Sequence, residues 1–115
     1  MASTASAIPI LPGKLEAWQR FIAELRGVRH TEHMASRQRL GVTTERAYLQ
    51  QTPQGDLAII YIDAEDLGQV FQGLATSQDP FDVWFREQVL EAHGWDMTGP
   101  PPGPLPEPAV DLQVS

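Results

Sequence analysis

The sequence predicts an α+β fold of the ferredoxin-like type, with the order βαββα(α)β and helices on one side of an antiparallel sheet. Apolar residues alternate along some segments and recur at helical spacing along others. These segments follow one another as strand, helix, strand, strand, helix, helix. We expect one compact domain over residues 1–98 and a proline-rich extended tail over residues 99–115.

The first strand is predicted over residues 4–11 and contains Pro9. Proline cannot donate to a ladder, so Pro9 indicates a sheet edge or a bulge. From Lys14 the apolar period becomes helical. This helix either continues to Leu40 or breaks at Gly27 and resumes, and Gly41 is a natural stop.

Residues 45–52 and 56–63 are predicted to form a hairpin around the turn residues 53–55. The second strand is apolar on both faces: Leu57, Ile59 and Tyr61 point one way, whereas Ala58, Ile60 and Ile62 point the other way. Helices of the same chain can cover one face only. We assign the uncovered face to Ala58, Ile60 and Ile62, and expect a partner subunit to cover it.

Two helices are predicted to follow. Asp63 would cap the first and Asp66 would be its first-turn acid. Asp79 would cap the second, with Pro80 at the first helical position and Asp82 reaching back as in a capping box. His93 ends that helix, where we favour a capping role over catalysis. Residues 109–115 are a last strand, an arm across a partner, or unstructured.

Composition excludes several function classes. A net charge of −7 argues against a nucleic-acid partner. The chain has no cysteine, and its longest apolar runs fall short of the ~20 residues that span a bilayer. Residues 1–7 do not look like a secretory signal. We therefore expect a cytoplasmic protein without a membrane partner, metal or cofactor.

The pattern resembles the dimeric α+β-barrel superfamily, which includes antibiotic-biosynthesis monooxygenases. The stretches ILPGK (10–14), SRQRLGVTTER (36–46), LQQTPQGD (49–56), DPFDVWF (79–85) and HGWD (93–96) are similar to a small bacterial family of unknown function. The resemblance implies two subunits packed sheet to sheet and a ligand cavity between the first helix and the sheet. Haem-degrading members use an asparagine, and this chain has none.

A helical wheel continued through Gly27 places Arg29, Ser36 and, less centrally, His33 on the inward stripe. We expect these side chains at one end of the implied cavity, with His33 as base and Arg29 holding an oxyanion. The apolar wall and substrate contacts would come from Trp18, Ile22, Tyr48 and Tyr61, and Trp95 could wall the mouth. If the helix breaks at Gly27, the polar residues of this stretch instead face water. A metal chelate by His30 and His33 is a weaker alternative.

We therefore expect a homodimeric small-molecule-binding protein. If it is an enzyme, the resemblance implies metal-free oxygenation, isomerisation or cyclisation of an aromatic or polyketide-like compound. The competing hypothesis is a non-catalytic stress-related or binding module with no open pocket.

Overall fold

The structure, a computed structural model, describes residues 1–101 and 103–115. The elements of this part are β1 (Ala2–Pro9), α1 (Leu15–Arg26), α2 (His30–Leu40), β2 (Val42–Thr52), β3 (Gly55–Ala64), α3 (Leu67–Thr76) and α4 (Pro80–His93). The strands form one antiparallel sheet in the order β1-β3-β2. This confirms the predicted α+β class with its antiparallel sheet. Among the described residues, no helix is long and apolar enough to cross a membrane.

The position of β1 at the edge of the sheet explains how this strand accommodates Pro9. Strand β1 pairs with β3 alone among the described strands, and Pro9 is its last residue. Residues 109–115 form no strand. Instead, the tail returns beside β1, where the buried Thr4 hydroxyl donates to the carbonyl oxygen of Pro106 at 2.9 Å. Because the tail prolines lack an N–H, they cannot extend the ladder.

The first helical region breaks, as one of the two alternatives predicted. Helix α1 ends at Arg26, α2 begins at His30, and residues 27–29 form the turn between them. Gly41 then ends α2 in the left-handed conformation, with a φ of 81°. The break changes which side of α2 faces the interior, and this decides the composition of the site described below.

The assignment of the two sheet faces was wrong. Ala58 and Ile62 lie under the protein's own helices, with exposed fractions of 0% and 6%. The outer face instead carries Leu57, Ile59 and Tyr61, all half-buried. Both faces of β3 are apolar, so the alternation of the strand could not tell which face the helices would cover. The uncovered apolar face exists, but it is the opposite one.

The two C-terminal helices begin at aspartates, although not in every predicted role. The Asp66 carboxylate accepts from the Gln69 backbone N–H at 3.2 Å, so Asp66 rather than Asp63 caps α3. The predicted cap of α4 is correct: Asp79 accepts from the Phe81 N–H at 3.0 Å, and Pro80 is the first helical residue. The two caps fix where α3 and α4 begin on one side of the sheet.

Asp82 makes no capping box, contrary to prediction. Its side chain is 1% exposed and accepts hydrogen bonds from the hydroxyls of Ser36 and Ser77 and from Arg39. Burial acts to raise the pKa of Asp82, but these three donors outweigh it and lower the pKa. Asp82 therefore joins α4 to α2 and to the loop before α4.

We expect Asp82→Ala to lower the free energy of unfolding by about 2–4 kcal/mol, because two hydroxyls and a guanidinium lose their acceptor. Urea denaturation measures this loss. Glu91→Gln is the matched control, since it also removes one carboxylate but only from an exposed pair with Lys14. Equal unfolding midpoints for the two variants would contradict the structural role of Asp82.

Candidate functional site

A cavity of about 990 Å³ lies between the inner face of the sheet and the helices. Most of its wall is apolar and includes Trp18, Ile22, Ile60, Phe71, Leu74 and Val89. A groove of about 600 Å³ between α1 and the edge strand β2 shares Trp18, Ile22, Arg26 and Ala47 with it. Pockets of ~300–1,000 Å³ with an apolar wall are typical of small-molecule sites.

Glu45 contributes a carboxylate to the cavity wall. A bulge between Val42 and Thr44 precedes it, since Val42 pairs with Ala64 and Thr44 already pairs with Asp63. Strict alternation from the inward Val42 would turn Glu45 outward. The extra residue restores the inward direction, opposite the buried Ile62. The bulge therefore places a charged side chain inside.

Two donors from α2 meet this carboxylate. His33 Nε2 lies 2.8 Å from Glu45 Oε1, and Arg37 Nε donates to the same oxygen at 2.7 Å. Arg37 Nη2 donates to Oε2 at 3.3 Å. Burial acts to raise the pKa of Glu45, but the hydrogen bond from His33 and the charge and hydrogen bonds of Arg37 outweigh it and lower the pKa to about 2. Glu45 is thus an anion at neutral pH.

The imidazole of His33 is held on three sides. The Glu45 carboxylate only accepts, so Nε2 carries the proton and Nδ1 keeps the lone pair when the ring is neutral. The ring stacks on Phe81 and Phe85, with centroid separations of 5.8 and 6.2 Å. His33 also lines the cavity. An oriented imidazole with a free nitrogen beside an apolar cavity has the properties of a general base.

The structure brings three of the predicted site residues together. Trp18, Ile22 and His33 line the cavity, and so does Trp95, which was expected at its mouth. Ser36 is buried, but its hydroxyl donates to Asp82 and Ser36 is not part of the cavity wall. Ser36 therefore contributes to the packing of α2 through Asp82 and not to the surface of the cavity.

The other predicted site residues lie elsewhere. The guanidinium of Arg29 stacks on Trp84, 3.9 Å from the ring centroid, and faces Glu24 and Glu32 at 3.6 Å, outside the cavity wall. Tyr48 and Tyr61 lie on the outer face of the sheet. The Tyr61 hydroxyl donates to Asp63, at 2.7 Å. The structure thus separates Arg29, Tyr48 and Tyr61 from His33.

Sequence reasoning missed Arg37 and Glu45. The inward stripe of α2 is His33, Ser36, Arg37 and Leu40, which the break at residues 27–29 rotates away from the continuous wheel. Glu45 has the same parity as Ala47 and Leu49, both of which face the helices. A charge at an inward strand position was the signal that could have found it.

His30 is exposed, as the wheel predicted, and it also borders the cavity. The proposed metal chelate by His30 and His33 lacks a third ligand nearby. Within residues 1–101 and 103–115, no three His, Asp or Glu side chains are grouped so that they could hold a metal ion.

His93 does not act as the expected cap. Its Nδ1 donates to the carbonyl oxygen of Pro9 at 2.8 Å, at the end of β1, while Gly94 ends α4 in the left-handed conformation. Burial lowers the pKa of His93 despite this hydrogen bond. The neutral ring is therefore favoured, and it lines the cavity.

Comparison with known proteins gives one finding. A family model described as "Family of unknown function (DUF6176)" matches residues 1–97. No curated protein and no solved structure matches the chain. The matched residues include His33, Arg37 and Glu45, as well as His93 and Trp95.

The low pKa of Glu45 predicts a pH dependence of stability. The unfolded chain, with a pKa near 4.5, binds the Glu45 proton more readily than the folded chain, with a pKa of about 2. The stabilisation, up to roughly 3 kcal/mol, is present above the unfolded pKa and is lost as pH falls toward 2. Urea unfolding at about pH 6 and about pH 3 should show this loss in the wild type and a smaller one in Glu45→Gln.

Glu65→Gln is the control, because Glu65 is exposed at the end of β3. It should keep the wild-type dependence on pH. A Glu45→Gln protein that loses as much stability as the wild type over this interval would refute the ion cluster at Glu45.

Proposed function

Since the chain belongs to this family of unknown function, we propose from its geometry that the protein binds a small, largely apolar molecule and moves a proton on it through His33. The observation that carries the proposal is the His33–Glu45 pair in the wall of an apolar cavity. The reaction class is metal-free isomerisation, cyclisation or oxygenation of an aromatic or polyketide-like compound. Each of these can begin with removal of a proton from an activated carbon or hydroxyl group.

The proton moves from a carbon beside a substrate carbonyl to His33 Nδ1, the electron pair of the broken C–H bond forms a C=C bond to the carbonyl carbon, and the π pair of the C=O bond passes to the oxygen. Glu45 stabilises the imidazolium that forms, because it accepts from Nε2 and stays ionised. In this proposal Arg37, and not Arg29 as first expected, is the cation that stabilises the oxyanion. Its side chain is 8% exposed and stacks on Phe85 at 4.4 Å, so the developing enolate meets a fixed positive charge.

The competing hypothesis of a non-catalytic module needs an interior filled by side chains. The cavity volume of about 990 Å³ supports a ligand site instead. A protein that only binds its ligand would keep the cavity and would use the His33–Glu45 pair for stability alone. The two functions therefore differ in whether His33 affects turnover or affinity alone.

The outer sheet face supports a homodimer, as in the dimeric α+β-barrel superfamily. Leu57, Ile59 and Tyr61 form an apolar row on β3, and Tyr48 beside them on β2 is 54% exposed. Helices of the same chain cover only the opposite face. Two copies packed through this row would remove the apolar surface from water.

The base is tested with 2-tetralone, an apolar ketone with an acidic C–H beside its carbonyl. In D2O near neutral pD, the wild-type protein should accelerate exchange of the C1 proton, followed by 1H NMR. Because general-base catalysis contributes about 10²–10⁴-fold, His33→Ala should lose about 100-fold or more of the acceleration. Glu45→Gln should lose less, since the imidazole remains.

His30→Ala is the matched control, because His30 lines the same cavity without touching Glu45. It should keep most of the acceleration. If wild-type protein exchanges the proton no faster than buffer, or His33→Ala is as fast as wild type, the proposed chemistry is wrong.

The dimer is tested with Ile59→Asp, which places a charge in the apolar row of β3. Light scattering should give a dimer mass for the wild type and a monomer mass for Ile59→Asp, with helical content unchanged by circular dichroism. Gln72→Asp adds the same charge on the exposed side of α3 and should remain dimeric. A monomeric wild type at micromolar concentration would exclude this interface.

A further inference from the structure

The cavity is open along the sheet edge that β2 forms. Ala47 lies on the inward face of this strand, between Glu45 and Leu49, and pairs with Ile60 of β3. Although it faces the helices, Ala47 is exposed. The groove between α1 and β2 shares Ala47 with the cavity, so the two spaces border each other there. This groove is therefore a path from solvent to the cavity.

Arg26 is the only charged residue among the described residues that line the groove. It is the last residue of α1, and a helical side chain leans back over the turn that precedes it. That turn presents Ile22 and Ala23, which also line the groove. The guanidinium is thereby directed along the groove. Arg26 is exposed, so a ligand can reach it.

The charge around Arg26 is positive, although the whole chain carries −7. Residues 14–46 contain seven Lys and Arg but four Asp and Glu, a net charge of +3. Arg26 forms no ion pair with any described residue, whereas four of the other six do: Lys14, Arg29, Arg37 and Arg39. Glu45, two residues before Ala47, is already paired with Arg37. Arg26 is thus a cation without an anion at the open side of the cavity.

The one other acid among the described residues of the cavity wall lies at the opposite edge. Asp96 follows His93, whose ring contacts Pro9 of β1. Strand β3 separates β1 from β2, so the two edges are about 10 Å apart. The pKa of Asp96 is lowered by hydrogen bonds from Thr98 and, to a smaller extent, by the charge of Arg86. Asp96 has its own cation nearby and does not oppose an anion at the groove.

A carboxylate matches this arrangement better than a phosphate does. The planar guanidinium donates two parallel hydrogen bonds to the two oxygens of one carboxylate. A phosphate group carries nearly two charges at neutral pH and would meet a single unpaired cation here. Ala47 follows Glu45 by two residues, about 7 Å along the strand. An acid group in the groove would therefore lie close to the His33–Glu45 pair.

We propose that Arg26 binds a carboxylate of the ligand in the groove between α1 and β2, while the apolar body of the ligand lies in the cavity. This inference rests on the proposed function and narrows its substrate class to apolar carboxylic acids. The reacting carbon lies nearer to the acid group than to the far end of the molecule, because the groove adjoins the His33–Glu45 pair.

The test compares two probes of similar size, 2-naphthoate and 2-methylnaphthalene, in titrations of 15N-labelled protein near pH 7. The chain has three tryptophans, and Trp18→Phe identifies the indole signal of Trp18, which lies in the wall shared by groove and cavity. Both probes should move this signal in the wild type. Arg26→Gln removes the charge, so the Kd of 2-naphthoate should rise about five- to tenfold while that of 2-methylnaphthalene stays within about twofold.

Two further variants control for charge and folding. Arg20→Gln makes the same change at an exposed position of α1 that lines neither the groove nor the cavity, and it should leave both affinities unchanged. Arg26→Lys keeps the charge but not the planar fork, so it should bind 2-naphthoate more tightly than Arg26→Gln does.

The outcomes separate this inference from the proposed function. If 2-methylnaphthalene binds but 2-naphthoate does not, or if Arg26→Gln changes the two affinities equally, the inference fails and the proposed function survives. An equal loss of 2-naphthoate affinity in Arg20→Gln and Arg26→Gln would also overturn it. If neither probe moves the Trp18 signal of the wild type, the cavity takes no apolar ligand and both proposals fail.

Discussion

The inner face of α2 is polar, and it can be buried only because carboxylates from two other elements meet its donors. Glu45 of β2 accepts from His33 and Arg37, and Asp82 of α4 accepts from Ser36. Arg37 also donates to the Ser36 hydroxyl at 2.9 Å, so the two clusters form one network. A buried charge without a partner is strongly destabilising, and removal of Glu45 would leave one at Arg37, whereas removal of Asp82 would leave two hydroxyls without their acceptor. The network therefore fixes α2 against both the sheet and α4.

This constraint gives the cavity its polar end. An apolar α2 would pack directly on the sheet. A polar α2 instead has to place each of its donors opposite a carboxylate of another element. The same contacts orient His33 before any ligand arrives, because Glu45 holds Nε2 and two phenylalanines hold the ring plane. The groups that stabilise the fold at this point also orient the imidazole, so the proposed proton transfer and the stability of α2 depend on the same side chains.

The fold was largely predictable from the sequence because periodicity and capping residues act locally. The α+β order and the cap at Asp79 followed from such signals, and Pro9 indicated a sheet edge or a bulge, of which the structure has the edge. The site was less predictable. A break at residues 27–29 rotates α2, so Arg37 rather than Arg29 faces the interior, and a bulge between Val42 and Thr44 turns Glu45 inward. Which apolar face of β3 the helices cover depends on tertiary packing. The alternation of the strand does not show it, so the predicted assignment of the uncovered face was wrong.

The tail adds to the cavity wall outside the residues that the family model matches. The family match ends at residue 97, yet residues 99–101 and 103–106 form part of the cavity wall. The polar network and most of the apolar wall lie within the matched residues. Prolines limit the conformations of the unbound tail, and the Thr4 hydroxyl holds Pro106 beside β1. A wall that belongs to neither the sheet nor a helix can change in sequence without disturbing the core that positions His33.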